Sequence, residues 1–201
     1  WHHRSHRQRS VWDDHEFAND AFADTSAYHH PATQGTWAAR KANAIRVYKE
    51  WIPMRVDTAK FDIINWEQKI GNLADIIYTE DRIHKIDAKT PEQAIQLLTN
   101  KDNLAFDTPD KPMHGQRQME WIAQSLKNST STWKVLANQV VFSPFVYKQA
   151  ILGFPFPWHS AAGWDMYPLD RKKILDTINT YDIKNFVVLS GDIHIAMMFD
   201  I

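Results

Sequence analysis

Apolar positions recur along the chain at two spacings, and they alternate between the period of a helix and the compact runs of buried strands. Trp37, Ala44, Ile45, Tyr48 and Ile52 fall near helical spacing behind Thr36, a side chain suited to cap a helix N-terminus, and Pro53 stops the run. The pattern predicts a helix from Thr36 to about Trp51. Two β-rich runs follow, Phe61–Ile70 and Leu73–Thr79, joined by Gly71–Asn72, a hairpin signal. Thr90 and Pro91 open a further predicted helix, "TPEQAIQLL", and Asn100–Pro112 is polar and broken, a loop. Gly115–Lys127 puts Met119, Ile122 and Leu126 on one helical face. Trp133–Phe142 and Phe186–Ser190 read as buried strands. Pro168–Tyr181 reads as a helix with Ile174, Leu175 and Ile178 inward.

Less regular segments carry weaker expectations. Ser10–Trp12 reads as the end of a short strand, Glu16–Ala23 as a short helix and Ile195–Ile201 as a last strand. Phe145–Tyr167 reads as a long aromatic loop, of a length that is usually functional. Strands alternating with helices define an α/β layered fold, and such folds place their sites at the carboxyl ends of buried strands.

Two acid- and histidine-bearing stretches occupy that kind of position. "SVWDDHEFAND" packs four acids, a histidine and an asparagine into Ser10–Asp20, and "VVLSGDIH" ends a buried strand at Gly191. Past Gly191, Asp192 and His194 alternate with Ile193 and so point the same way, a carboxylate and an imidazole converging on a cation. The plain alternative makes Asp192 a turn cap and His194 a core histidine. Asp13 and Asp14 are adjacent, and two neighbouring carboxylates resist burial without a cation or hydrogen-bond donors, because each raises the other's pKa. Their plain alternative is a helix N-terminus, which favours acids. The two stretches together favour a shared metal site.

Composition narrows the class. The 201 residues suffice for about one domain, with a 44 % apolar fraction typical of globular proteins and no run near the ~20 apolar residues of a membrane span. A net charge of −1 gives no reason to expect nucleic acid or an anionic membrane as partner. There is no cysteine, so neither disulfides nor thiolate metal ligands arise within the chain. Residues 1–9, "WHHRSHRQR", lack the apolar core of a signal peptide and read as a disordered or non-native segment, leaving 10–201 as the folded unit.

Six stretches in order carry a family resemblance: "SVWDDHEFAND", "WAARKANAIRVYKEWIPMR", "IGNLADIIYTEDR", "GQRQMEWIAQSLKNSTSTWKVLANQVVFSP", "GWDMYPLDRKKIL" and "VVLSGDIH". Together they resemble the signature blocks of the PhoD-like alkaline phosphatases/phosphodiesterases, within the calcineurin-like metallophosphoesterase superfamily. The resemblance runs from about Ser10 onward. It implies a layered sandwich of mixed β-sheets flanked by helices, and metal-dependent hydrolysis of phosphate mono- or diesters with a small phosphoester as substrate. Calcium and iron are the metals it implies, with manganese or zinc as further options, and it implies a secreted, periplasmic or cell-surface location. By position in the motifs, Asp14 is the implied metal ligand with Asp13 a weaker one, Asn19 a further ligand or phosphate contact, and Asp192 and His194 ligands from the last strand. His15 would assist the leaving oxygen. Gln139 falls near another ligand position, and Arg40 could clamp phosphate, its plain alternatives being an exposed helix arginine or an ion-pair partner of Asp14 or Asp20. Read from the residues alone, Trp164 in the aromatic segment could wall the substrate or be buried in the segment's own small core. The family's metal-binding segments ahead of its "WDDHE" block, one of them bearing a cysteine, have no counterpart here, so the expectation is an internal piece, incomplete at its N-terminus and at its C-terminus, holding part of the metal site. The alternative from another class is a non-catalytic domain that binds a carbohydrate or peptide through the aromatic segment 145–167.

Overall fold

The computed structural model describes residues 10–26, 28–52, 66–85, 112–144, 146–151, 154–159 and 163–201, and for 146–151 and 154–159 the backbone alone. The elements run α1 (Pro31–Gln34), α2 (Trp37–Trp51), β1 (Trp66–Ile70), β2 (Ala74–Tyr78), α3 (Gly115–Asn128), β3 (Trp133–Ala137), β4 (Val146–Ile151), β5 (Phe154–His159), a 3-10 turn (Trp164–Met166), α4 (Pro168–Thr180) and β6 (Phe186–Leu189). β1, β2, β3 and β6 form a four-stranded mixed sheet in that spatial order, and β4 and β5 form a separate antiparallel pair. The fold class is α/β, as expected from the alternation of helix and strand periods.

The sheet explains where a site can form. β1 and β2 are an antiparallel hairpin, with Ile70 opposite Ala74 and Gly71 at φ +52, a left-handed conformation open to glycine without steric cost. β2, β3 and β6 then run parallel, so their carboxyl ends share one edge of the sheet. The segments that leave those ends are Thr79–Arg82, Asn138–Gln139 and Ser190–Asp192.

Two apolar clusters hold this frame. One joins Ile77 and Leu136 of the sheet to Met119, Ile122 and Leu126 of α3, Ile174 of α4 and Trp164. The expected inward face of α3 is the observed one; Leu175 and Ile178 of α4 are partly buried against the same cluster. The other cluster gathers Trp12, Phe17 and Ala21 of the N-terminal segment onto Trp37, Ile45 and Tyr48 of α2. Trp12 is edge-to-face with Phe17 at 5.3 Å and with Tyr48 at 5.4 Å, arrangements that suit aromatic quadrupoles. The Thr36 side chain accepts from the Ala39 amide at 3.2 Å and so caps α2 as its sequence predicts.

Five local expectations are corrected. Ser10–Trp12 is no strand and Glu16–Ala23 no helix: after one turn, closed by the Phe17 and Ala18 amides on the Asp14 carbonyl at 2.8 and 2.9 Å, the chain follows side-chain contacts instead of a helical ladder. The segment Phe145–Tyr167 is not one loop, since β4 and β5 pair along it from Val146 opposite His159 to Ile151 opposite Phe154. Ile195–Ile201 forms no strand and is exposed. The strand expected over Trp133–Phe142 ends at Ala137, where Asn138 turns its amide to the Leu189 carbonyl at 2.9 Å. The expected helix at Thr90, the loop through residue 111, the start of the first β-rich run and residues 1–9 lie outside the described residues.

Candidate metal centre

The carboxyl-end edge of the sheet is built around the turn after β2. Glu80 is buried, and its carboxylate accepts from Trp12 Nε1 at 2.8 Å and from the backbone amides of Arg82, Ile83 and His84 at 2.9, 3.0 and 3.2 Å. One buried acid thereby shapes the turn and anchors Trp12 beside it. Gln118 of α3 clasps the Glu80 backbone with its amide, accepting from the nitrogen and donating to the carbonyl, both at 2.9 Å. Gln139, at the end of β3, does the same from the other side. Its oxygen accepts from the Asp81 amide, its nitrogen donates to the Trp12 carbonyl, and its own backbone amide donates to Asp81 Oδ2 at 2.7 Å. Backbone groups in these turns would be costly to bury unpaired, and the two glutamines satisfy them.

This scaffold brings three carboxylates together from opposite ends of the sequence. Asp13, Asp14 and Asp192 each offer an oxygen within 4.8 Å of the others. Arg82, fully buried, lies among them. Its Nε donates to Asp13 Oδ1 at 2.6 Å, its Nη2 approaches the same atom at 2.5 Å and pairs with Asp192 Oδ1, and Asp14 Oδ1 is 3.9 Å away. Asp14 is set by its other oxygen, which accepts the Asp20 amide at 2.8 Å. Its Oδ1 is buried without a hydrogen-bond partner, as is Arg82 Nη1. Burial holds the Asp13 carboxyl above its usual range; Arg82 pulls it down, while Asp192 and Asp14 push it further up. Burial works against the Arg82 charge, yet Asp192, Asp13 and Asp14 hold its pKa above the usual value.

The donor set fits a hard cation. Oxygens bound to one calcium-sized ion at about 2.3–2.6 Å can stand no more than about 5 Å apart, and the trio meets that limit. Three carboxylates crowd one guanidinium, and the orphaned Asp14 Oδ1 is a buried oxygen in want of a donor or an ion.

The remaining residues expected at the site lie at varying removes from the trio. His15 is 74 % exposed, with Nε2 4.0 Å from Asp14 Oδ1, at the mouth of the cluster. His194 is exposed and outside the trio. Strand alternation does not persist past Gly191: Ile193 turns back to the Gly191 carbonyl at 3.1 Å, and Asp192 and His194 adopt φ +79 and +57, so the two side chains do not share a direction as strand neighbours would. Asn19 donates to Asp20 Oδ2 at 3.0 Å and its carbonyl accepts from Ser26, which ties down the loop beside Asp14. Arg40 makes neither expected ion pair; its Nε braces the Phe17 carbonyl at 2.7 Å and its Nη1 reaches Gln34 at 2.8 Å. Trp164 is fully buried, its Nε1 on Asn138 Oδ1 at 3.1 Å and its ring 4.8 Å from that of His114.

"TEDR", Thr79–Arg82, falls within a block of the family resemblance but has no role among the expected site residues. The signal was present, since these charges follow the apolar run of β2 as "GDIH" follows that of β6. Asp81 there bonds His114 Nε2 at 2.6 Å in a fully buried pair; burial alone would raise the carboxyl, but the His114 contact and further hydrogen bonds hold it below its usual range. Lys85, also buried, stacks over the Phe22 ring at 4.7 Å, and its pKa is pushed down to about 8 by burial and by the Arg82 charge.

An α/β sheet with an acidic cluster at the carboxyl ends of its parallel strands, braced by a buried arginine, defines a protein built to hold charge at one edge. The comparisons with known proteins give that class a family. The model of the PhoD-like phosphatases matches residues 2–201, and the chain belongs to that family. Alkaline phosphatase D of Bacillus subtilis (strain 168) is 27 % identical over 187 residues, which are 92 % of this chain and 30 % of the relative. A solved structure described as the structure of PhoD superposes with a TM-score of 0.71 at 25 % identity, over 92 % of this chain and 34 % of that one. The chain thus spans about a third of the length of the relatives it matches.

Proposed function

We propose that this chain contributes part of the catalytic centre of a metal-dependent phosphoester hydrolase. The observation that carries the reading is the meeting of the adjacent Asp13 and Asp14 with Asp192, far along the sequence, within one ion's reach beside the carboxyl ends of the parallel strands. Family membership and the likeness to an alkaline phosphatase support the reaction class. On this reading residues 10–201 form part of a larger catalytic unit, and the location is outside the cytoplasm; among the described residues no helix is long and apolar enough to cross a membrane.

Asp14, Asp13 and Asp192 hold the cation. Bound there, a metal ion supplies Lewis-acid charge neutralisation at phosphorus and lowers the pKa of water. Calcium suits the all-carboxylate oxygen set; iron, manganese or zinc would draw on imidazole as well, and His194 or His15 would then have to turn inward. Asn19 holds the Asp14–Asp20 loop in register. His15, solvent-facing next to Asp14, is placed to hand a proton to the leaving oxygen. Gln139 acts from beneath, by fixing the turns that carry Asp13 and Arg82, and Trp164 holds the neighbouring Asn138. The alternative of a carbohydrate- or peptide-binding domain rests on segment 145–167, most of whose side chains lie outside the described set.

The test is hydrolysis of chromogenic phosphate mono- and diesters before and after chelation, with calcium, manganese or iron restored, and a calorimetric titration of each metal. Metal-restored hydrolysis that Asp14→Asn and Asp192→Asn abolish supports the reading. Hydrolysis indifferent to chelation, or metal binding untouched by both variants, would sink it.

A further inference from the structure

Arg82 lies where a cation would have to sit. Its Nη2 is 2.5 Å from Asp13 Oδ1 and pairs with Asp192 Oδ1, so one nitrogen occupies the point shared by two carboxylates of the trio. A hard ion held by those two atoms at about 2.3–2.6 Å would coincide with that nitrogen. Two positive charges cannot share the place.

The guanidinium is also incompletely satisfied where it is. Nη1 is buried with no partner, and Asp14 Oδ1, 3.9 Å from Nη2, accepts no hydrogen bond. A fully buried arginine that serves only to stabilise a fold is expected to use its whole fork of donors. Here a donor and an acceptor are both left over at the same spot.

We propose that Arg82 is an internal counter-ion that competes with the metal: it neutralises the Asp13–Asp14–Asp192 cluster when no ion is bound and must withdraw from Asp13 and Asp192 for an ion to enter. The proposal rests on the metal-centre reading above. It predicts that the arginine lowers metal affinity while making the metal-free protein stable, and that the chain has two arrangements of this site, arginine-in and ion-in.

Calcium alone is the probe. Titrated into the wild-type chain and into Arg82→Gln, it binds the variant at least about tenfold more tightly, a difference of about 1.4 kcal/mol. Arg82→Lys, which retains a smaller cation, falls between the two. In the wild-type protein, where folding is not in question, the Arg82 side-chain 15Nε resonance shifts in step with calcium occupancy. Equal or weaker calcium binding by a folded Arg82→Gln overturns the proposal and leaves the metal centre standing. So does an Arg82 resonance that stays put while calcium binds. Absence of calcium binding to the wild type and to the variant alike overturns the metal centre and the competition together.

Discussion

Asp13 Oδ1 accepts two nitrogens of Arg82, Nε at 2.6 Å and Nη2 at 2.5 Å, across 69 residues of sequence. The pair joins the N-terminal segment to the turn after β2, and the same guanidinium reaches Asp192 beyond β6. Three chain segments that share no helix or strand are thus tied at one buried cation.

Asp14 holds an oxygen that nothing else in the fold uses. Asp14→Asn therefore removes a ligand charge at little structural cost, because its other oxygen position still accepts the Asp20 amide. Calcium affinity measured by calorimetry falls at least about tenfold, the lower end of the losses seen even for outer-sphere partners, while the melting temperature of the metal-free chain stays within a few degrees or rises.

Gln139→Ala strips a buried clamp. The Asp81 amide and the Trp12 carbonyl are left unpaired inside the protein. At about 1–3 kcal/mol for each buried group left unsatisfied, the loss in unfolding free energy is roughly 2–6 kcal/mol. Urea denaturation of the two proteins checks it. A loss under about 1 kcal/mol would mean that water reaches both groups and that the clamp is dispensable.

Lys85 makes stability depend on pH in alkaline solution. Its pKa falls from the usual 10.5 to about 8 on folding, so between these values the unfolded chain binds more protons than the folded one. Stability from this group therefore rises with pH from about 8 to about 10.5 and is flat below. The full span amounts to roughly 3 kcal/mol, with a slope of at most about 1.4 kcal/mol per pH unit. Comparing wild type with Lys85→Met by denaturation at pH 7, 8, 9 and 10 isolates the effect. A difference between the two that does not change with pH rules it out.

Arg40 acts on the loop rather than at its rim. Arg40→Gln loses a charge-assisted bond to the Phe17 carbonyl, worth about 1.5–3 kcal/mol. Thermal denaturation reads this loss. Inorganic phosphate affinity stays within about twofold of wild type, well under 1 kcal/mol. A tenfold loss of phosphate affinity without destabilisation would instead place the guanidinium on the substrate.

The sequence by itself determined the α/β class, α2 with its Thr36 cap, the apolar faces of α3 and α4 and the β1–β2 hairpin. Each rests on short-range periodicity or on a single turn residue. It also pointed to Asp14, Asp13 and Asp192: Asp192 because an acid after a buried strand stands out in one dimension, Asp13 and Asp14 because two adjacent acids do, although among the described residues no strand precedes them. Tertiary structure alone decided the rest. Glu16–Ala23 has the composition of a helix, but its backbone is claimed by Asp14, Lys85 and Ser26. His194 follows Asp192 at strand spacing, but the chain leaves the sheet at Gly191 and the alternation stops with it. Arg82 and Gln139 gain their meaning only when β2, β3 and β6 lie parallel, because nothing local records which distant carboxylate a buried guanidinium will meet.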